Sequence, residues 1–143
     1  MGELGRCCSV RDVFITLLLC MLACAPDARA ATLVCPATLG APTAVQFSPV
    51  GTLPRSAAPL DALSIVEGEP GDEGKDAPVV LIPELKTVEN KRMNVWDLMP
   101  RDEPLVMVCS YRGTSAYLRA VIPKDLTSCE FTLDRHPPVG QCR

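Results

Sequence analysis

The sequence predicts a mostly β fold: one small antiparallel domain, a sandwich or open barrel, stapled by disulfides and preceded by a cleaved signal peptide. Three observations predict it. Residues 105–129 (LVMVCSYRGTSAYLRAVIPKDLTSC) hold two runs rich in Val, Ile, Leu and Tyr around Gly113 and Thr114. Glycine at the first central position is what a type II′ hairpin turn needs. Four cysteines, Cys35, Cys109, Cys129 and Cys142, follow the leader of an exported chain, and an even number there reads as two disulfides. Short strand-forming runs also recur between proline- and glycine-rich breaks, a spacing that suits about five to seven strands.

Residues 1–30 read as the signal peptide. Arg6 and Arg11 give a positive start, residues 13–25 are uncharged and apolar, and Ala28 and Ala30 place small side chains at −3 and −1 before Ala31. The apolar run falls short of the about 20 residues that a membrane span needs. Acylation of Cys24 in a lipoprotein is the rival reading, and Met21-Leu22-Ala23 fits it poorly, since the small residue belongs at −2. Cys7, Cys8, Cys20 and Cys24 leave with the leader.

Residues 31–59 form a proline-rich extended arm. Pro36, Pro42, Pro49, Pro54 and Pro59 exclude helix and leave room only for short strands such as 43–47. The antiparallel β domain occupies 60–143, and 31–143 make one mature domain. Residues 60–66 are the first substantial strand, with Leu60, Ala62, Ser64 and Val66 on one face and Asp61, Leu63, Ile65 and Glu67 on the other. Residues 67–76 (EGEPGDEGKD) read as a solvated surface loop; their spacing does not match a calcium-binding loop. The apolar run 77–82 (APVVLI) reads as a buried strand ended by Pro83, and 84–93 as a loop or short helix. Trp96, the only tryptophan, reads as a core residue rather than a ligand platform.

The hairpin register follows from its faces. A turn at Gly113 and Thr114 pairs Tyr111 with Ala116, Cys109 with Leu118, Met107 with Ala120 and Leu105 with Ile122, so one face carries no charge. A one-residue slip would put Arg119 and Ser115 on that face. The opposite face carries Val106, Val108 and Val121 towards its base and Arg112, Ser115, Tyr117 and Arg119 towards its tip. The proline arm or the Trp96 segment is expected to cover the valines. Residues 129–133 make a third strand, and Pro137 and Pro138 keep the tail out of regular pairing until Cys142 pins it.

Three disulfide connectivities exist. In a simple meander over 105–133, Cys109 and Cys129 lie two strand spacings apart, roughly 9–10 Å, beyond the reach of a disulfide. Cys129 and Cys142 flank a turn. Cys35–Cys109 with Cys129–Cys142 is therefore the favoured pairing.

Several features together resemble a known family. They are Cys35-Pro36, SIVEGEP at 64–70, Leu81-Ile82-Pro83, Trp96, VCSYRGT at 108–114, Leu118, Ile122-Pro123, Cys129 and Cys142. The family is a small, uncharacterised one of exported Gram-negative proteins known by a locus-tag name beginning STY. The resemblance implies a periplasmic or secreted, mostly β domain and carries no catalytic residues. The long acidic loop and the basic, proline-ended tail depart from it.

Composition and motifs narrow the function. A net charge of −3 argues against nucleic acid and anionic membranes as partners. No two mature cysteines have zinc-ligand spacing, no glycine-rich phosphate loop occurs, and the single histidine, His136, stands before two prolines. No cofactor or metal is called for, and the chain reads as a non-enzyme. The first functional expectation is an exported binding module for an envelope protein or a glycan. The second is an inhibitor of an extracytoplasmic hydrolase, by analogy with periplasmic lysozyme inhibitors, with the 112–117 turn entering the enzyme's cleft. A carboxylate-dependent hydrolase is the third. Arg112, Tyr117 and Arg119 are the candidate partner-binding residues, because Tyr and Arg dominate interface energetics.

Overall fold

The computed structural model describes residues 32–40 and 46–143. The leader 1–30, Cys24 and the start of the 43–47 segment lie outside the described residues. Eleven strands are present among those described, more than the five to seven expected. They are β1 (Leu33–Val34), β2 (Thr38–Leu39), β3 (Ser48–Val50), β4 (Ala58–Glu67), β5 (Val79–Val80), β6 (Glu84–Val88), β7 (Lys91–Asp97), β8 (Leu105–Tyr111), β9 (Tyr117–Val121), β10 (Ser128–Thr132) and β11 (Val139–Cys142). A single 3₁₀ turn, Asp72–Gly74, interrupts them.

Two antiparallel sheets pack face to face. One runs β1-β11-β10-β7-β6; the other runs β2-β4-β8-β9-β3, with β5 beside the end of β4. Leu60, Leu63, Ile65, Met107, Tyr111 and Leu118 of the second sheet meet Leu33, Trp96, Phe131 and the Cys129–Cys142 bridge of the first in one core. The arrangement is a β-sandwich.

Strand β8 is the centre of the second sheet, paired with β4 on one side and β9 on the other. The hairpin register is as predicted: Met107 faces Ala120, Cys109 faces Leu118, and every residue of the uncharged face is buried. Gly113 takes a positive φ of 77° in the turn, which a side chain would disfavour. Thr114 Oγ1 accepts a hydrogen bond from the Ala116 N–H at 3.0 Å, closing the turn.

Three expectations for residues 60–93 need correction. The alternation proposed for 60–66 does not persist, because the register of β4 on β8 shifts between Leu60 and Ala62. That bulge changes the phase of the strand, so Leu60, Leu63 and Ile65 all reach the same core. The run 77–82 is not a buried strand: only Val79 and Val80 pair, and Ile82 is 92% exposed. Residues 84–93 are neither loop nor helix. They form the β6–β7 hairpin, turned by Glu89 and Asn90, both with positive φ. Two successive positive-φ residues are what a type I′ turn requires, and asparagine tolerates them better than most.

The third strand also departs from the meander. β10 leaves β9 and crosses to the other sheet, between β7 and β11. The tail pairs regularly after all: β11 lies between β1 and β10. The predicted disulfides both form, although the meander behind them does not. Cys35, whose N–H bonds to Gly140 O of the first sheet, is bridged to Cys109 in the second, so this disulfide ties the sheets together. Cys129 and Cys142 are directly opposed on neighbouring strands of the first sheet. Trp96 is buried as expected, and its indole N–H donates to Leu81 O at 2.9 Å.

Candidate functional site

The hairpin has two ends, and they differ in chemistry. At the tip stands Arg112, its side chain 75% exposed, making an ion pair with Asp61 at 2.9 Å. Tyr117 and Arg119 project from the outer face of β9, and both meet Glu73 of the acidic loop. The Tyr117 hydroxyl donates to Glu73 Oε1 at 3.2 Å, and the Arg119 guanidinium binds the same oxygen. The structure thus brings Tyr117 and Arg119 together on one carboxylate and leaves Arg112 on another.

The acidic loop that makes this contact is exposed over most of its length, as expected, but it is internally bonded and turns one carboxylate inward. Gly68, at a φ of 126°, starts a tight fold in which an added side chain would collide with Asp72. The Gly68 N–H is held by Pro104 O, the Glu69 N–H by Asp72 Oδ2, and the Gly71 N–H by Glu73 Oε2. The side chain of Glu73 is only 3% exposed. Burial alone would raise its carboxyl, but the Arg119 guanidinium and the Gly71 N–H outweigh it and hold the group below its ordinary value. Burial, then the neighbouring Glu73 charge, pushes the Tyr117 hydroxyl up. Under this loop lie Val66, Val106 and Val108 with Tyr117 against them. The expected cover from the Trp96 segment is therefore corrected: Trp96 faces the core, and Pro70 of the loop and Gln46 of the arm border the valine face.

The base of the hairpin is apolar and open. Segments 98–105 and 121–127 enclose a groove of about 230 Å³, floored by the buried Leu98, Leu105, Ile122 and Leu126. Its rim carries Met99, 67% exposed, and Val121, 49% exposed. Pro100, Pro104 and Pro123 also line it, and fixed φ at these positions makes the walls stiff. Backbone bonds from Leu98 N to Thr127 O and from Ile122 N to Leu105 O close its two ends. A second depression adjoins it, lined by Val79, Val80, Ile82, Trp96 and Asp97. Arg101, paired with Glu67 at 2.9 Å, lines both.

Five of the nine exposed large apolar residues among the described residues line these two depressions. That concentration marks the base, rather than the tip, as the unusual surface. Sequence reasoning passed over it because its residues come from three separate segments. The available signal was the run Val79–Val80 to Ile82, apolar yet next to an acid-rich loop. Among the described residues no three metal-ligating side chains converge, and no helix is long and apolar enough to cross a membrane.

The family model described as the Type VI secretion system Tli immunity protein matches residues 54–143. The match takes in every strand from β4 to β11, both depressions and the Cys129–Cys142 bridge, and it leaves Cys35 and β1 to β3 outside. No curated protein and no solved structure matches the chain.

Proposed function

The chain belongs to the Tli immunity proteins of type VI secretion systems, and from that membership we propose that it binds a toxic effector enzyme of such a system and neutralises it. The protein is a non-catalytic binder. The expectation of a binding module and that of a hydrolase inhibitor meet in this reading, in which the target is an effector hydrolase attacking the cell envelope. The observation that carries it is the match across residues 54–143. The leader-like residues 1–30 support a periplasmic site of action, where such an enzyme would reach its substrate.

Co-production with the effector of the same secretion cluster tests the proposal. Cells making the effector in their periplasm should grow when the full-length chain is present. They should die when residues 1–30 are deleted, because protection then lacks export. In vitro, the purified protein should suppress the effector's hydrolysis of lipid or peptidoglycan. An effector that keeps full activity beside excess purified protein would overturn the reading.

A further inference from the structure

We propose that the effector docks on the base of the hairpin, inserting one aromatic or branched apolar side chain from a basic segment into the groove between residues 98–105 and 121–127. This inference rests on the immunity reading for the kind of partner, and on the groove for the place.

Size decides first between a side chain and a larger ligand. Small-molecule sites occupy about 300–1,000 Å³, whereas a cavity of about 150 Å³ already holds benzene. At about 230 Å³ the groove suits a single large side chain. The floor is wholly apolar, and desolvating the exposed Met99 and Val121 on the rim is favourable. The proline-lined walls are already ordered, so little conformational freedom is lost on binding.

Charge selects the partner. Glu103 lines the groove, Glu67 and Asp97 line the adjoining depression, and the exposed Asp102 and Asp125 follow in the two groove loops. Arg101 and Lys124 line the groove too; Arg101 and Glu67 neutralise each other, which leaves Asp97, Asp102, Glu103 and Asp125 against Lys124. An apolar floor whose surroundings carry more acid than base favours an apolar anchor flanked by lysine or arginine, and it disfavours an acidic segment.

Two measurements separate the surface from the function. The first uses a short peptide with one phenylalanine flanked by lysines, and its glutamate-flanked counterpart, titrated into the isotope-labelled mature protein. The lysine peptide should shift the resonances of Leu98, Leu105, Ile122 and Leu126, with a response that weakens as salt rises; the glutamate peptide should not. Shifts that avoid the groove, or equal shifts from both peptides, would overturn the proposal.

The second uses the purified effector and a Met99→Asp, Val121→Asp protein, checked by thermal melting to be folded. Binding should fall on the order of a hundredfold, as for loss of a central anchor. Equal affinity of variant and wild type would sink the docking surface and leave the immunity reading standing. A wild-type protein that binds the lysine peptide in the groove but not the effector would do the reverse.

Discussion

The two ends of the β8–β9 hairpin show how differently one element can present itself to a partner. At the tip and on the outer face, each candidate group is already answered: Arg112 by Asp61, Tyr117 and Arg119 by Glu73. At the base, Met99 and Val121 stand in water over an apolar floor, with Ile82 exposed in the adjoining depression. A partner at the outer face would have to displace internal hydrogen bonds before making its own, at a cost near what it gains. A partner at the base displaces only water. Residue type alone favours the tip; satisfaction of those residues favours the base.

The largest expected effect removes the frame on which both ends depend. The Cys35–Cys109 bridge joins residues 74 apart in sequence and ties the two sheets, whereas Cys129–Cys142 joins residues 13 apart within one sheet. Chain-entropy reasoning gives about 4.5 kcal/mol for the first and about 3 kcal/mol for the second. A Cys35→Ser, Cys109→Ser protein should therefore lose more stability in urea unfolding than a Cys129→Ser, Cys142→Ser protein. The reverse order would show that the sheet-crossing staple is not the principal one.

Next in size is the latch over the outer face. Glu73→Gln keeps the shape but removes the charge facing Arg119, and Glu73→Ala removes both. With the side chain 3% exposed, the alanine change should cost about 2 kcal/mol, the range for a hydrogen bond to a charged group. The glutamine change should cost less and alter the pH dependence. Because the folded carboxyl lies below its ordinary value of 4.5, its contribution is complete above that pH and is lost as pH falls through the folded value. Wild type should thus lose stability between pH 5 and acid more steeply than Glu73→Gln, as read by melting temperature. Parallel curves would show that Glu73 does not hold the loop. Groove binding at neutral pH should survive either change, which separates the outer face from the base.

What could be read from the chain follows the same division. The hairpin register was legible because a slip would bury Arg119, a penalty local pairing cannot offset. The disulfide pairing was also legible, but through a meander that the crossing of β10 replaces; Cys109 and Cys129 are kept apart by lying in different sheets rather than two strands apart. The misread segments are those where tertiary placement overrides local pattern. Apolar residues at 77–82 look buried by composition, yet the first sheet leaves Ile82 uncovered. The acid-rich loop looks solvated, yet Arg119 forty-six residues away turns Glu73 inward. The Glu89-Asn90 turn lacks the glycine that marks most such hairpins, so β6 and β7 went unseen. The groove was hidden for a further reason: no single stretch contains it.

The smallest expected effect is also the sharpest test of the comparison. Arg112→Ala removes a tip residue whose partner, Asp61, keeps a side chain 46% exposed. Both members of the pair can hydrate when it breaks, and exposed pairs of this kind contribute about 0.5 kcal/mol or less. The Arg112 backbone N–H, bonded to Pro59 O at 2.9 Å, is untouched by the change, so the turn should stay in register. The melting temperature should move by no more than a few degrees, and affinity for the effector should stay within about threefold of wild type, as for a residue outside the anchor region. Calorimetric titration against the effector measures it directly. A tenfold or greater loss of affinity in a variant of unchanged stability would place Arg112 among the binding residues and move the docking surface from the base of the hairpin to its tip.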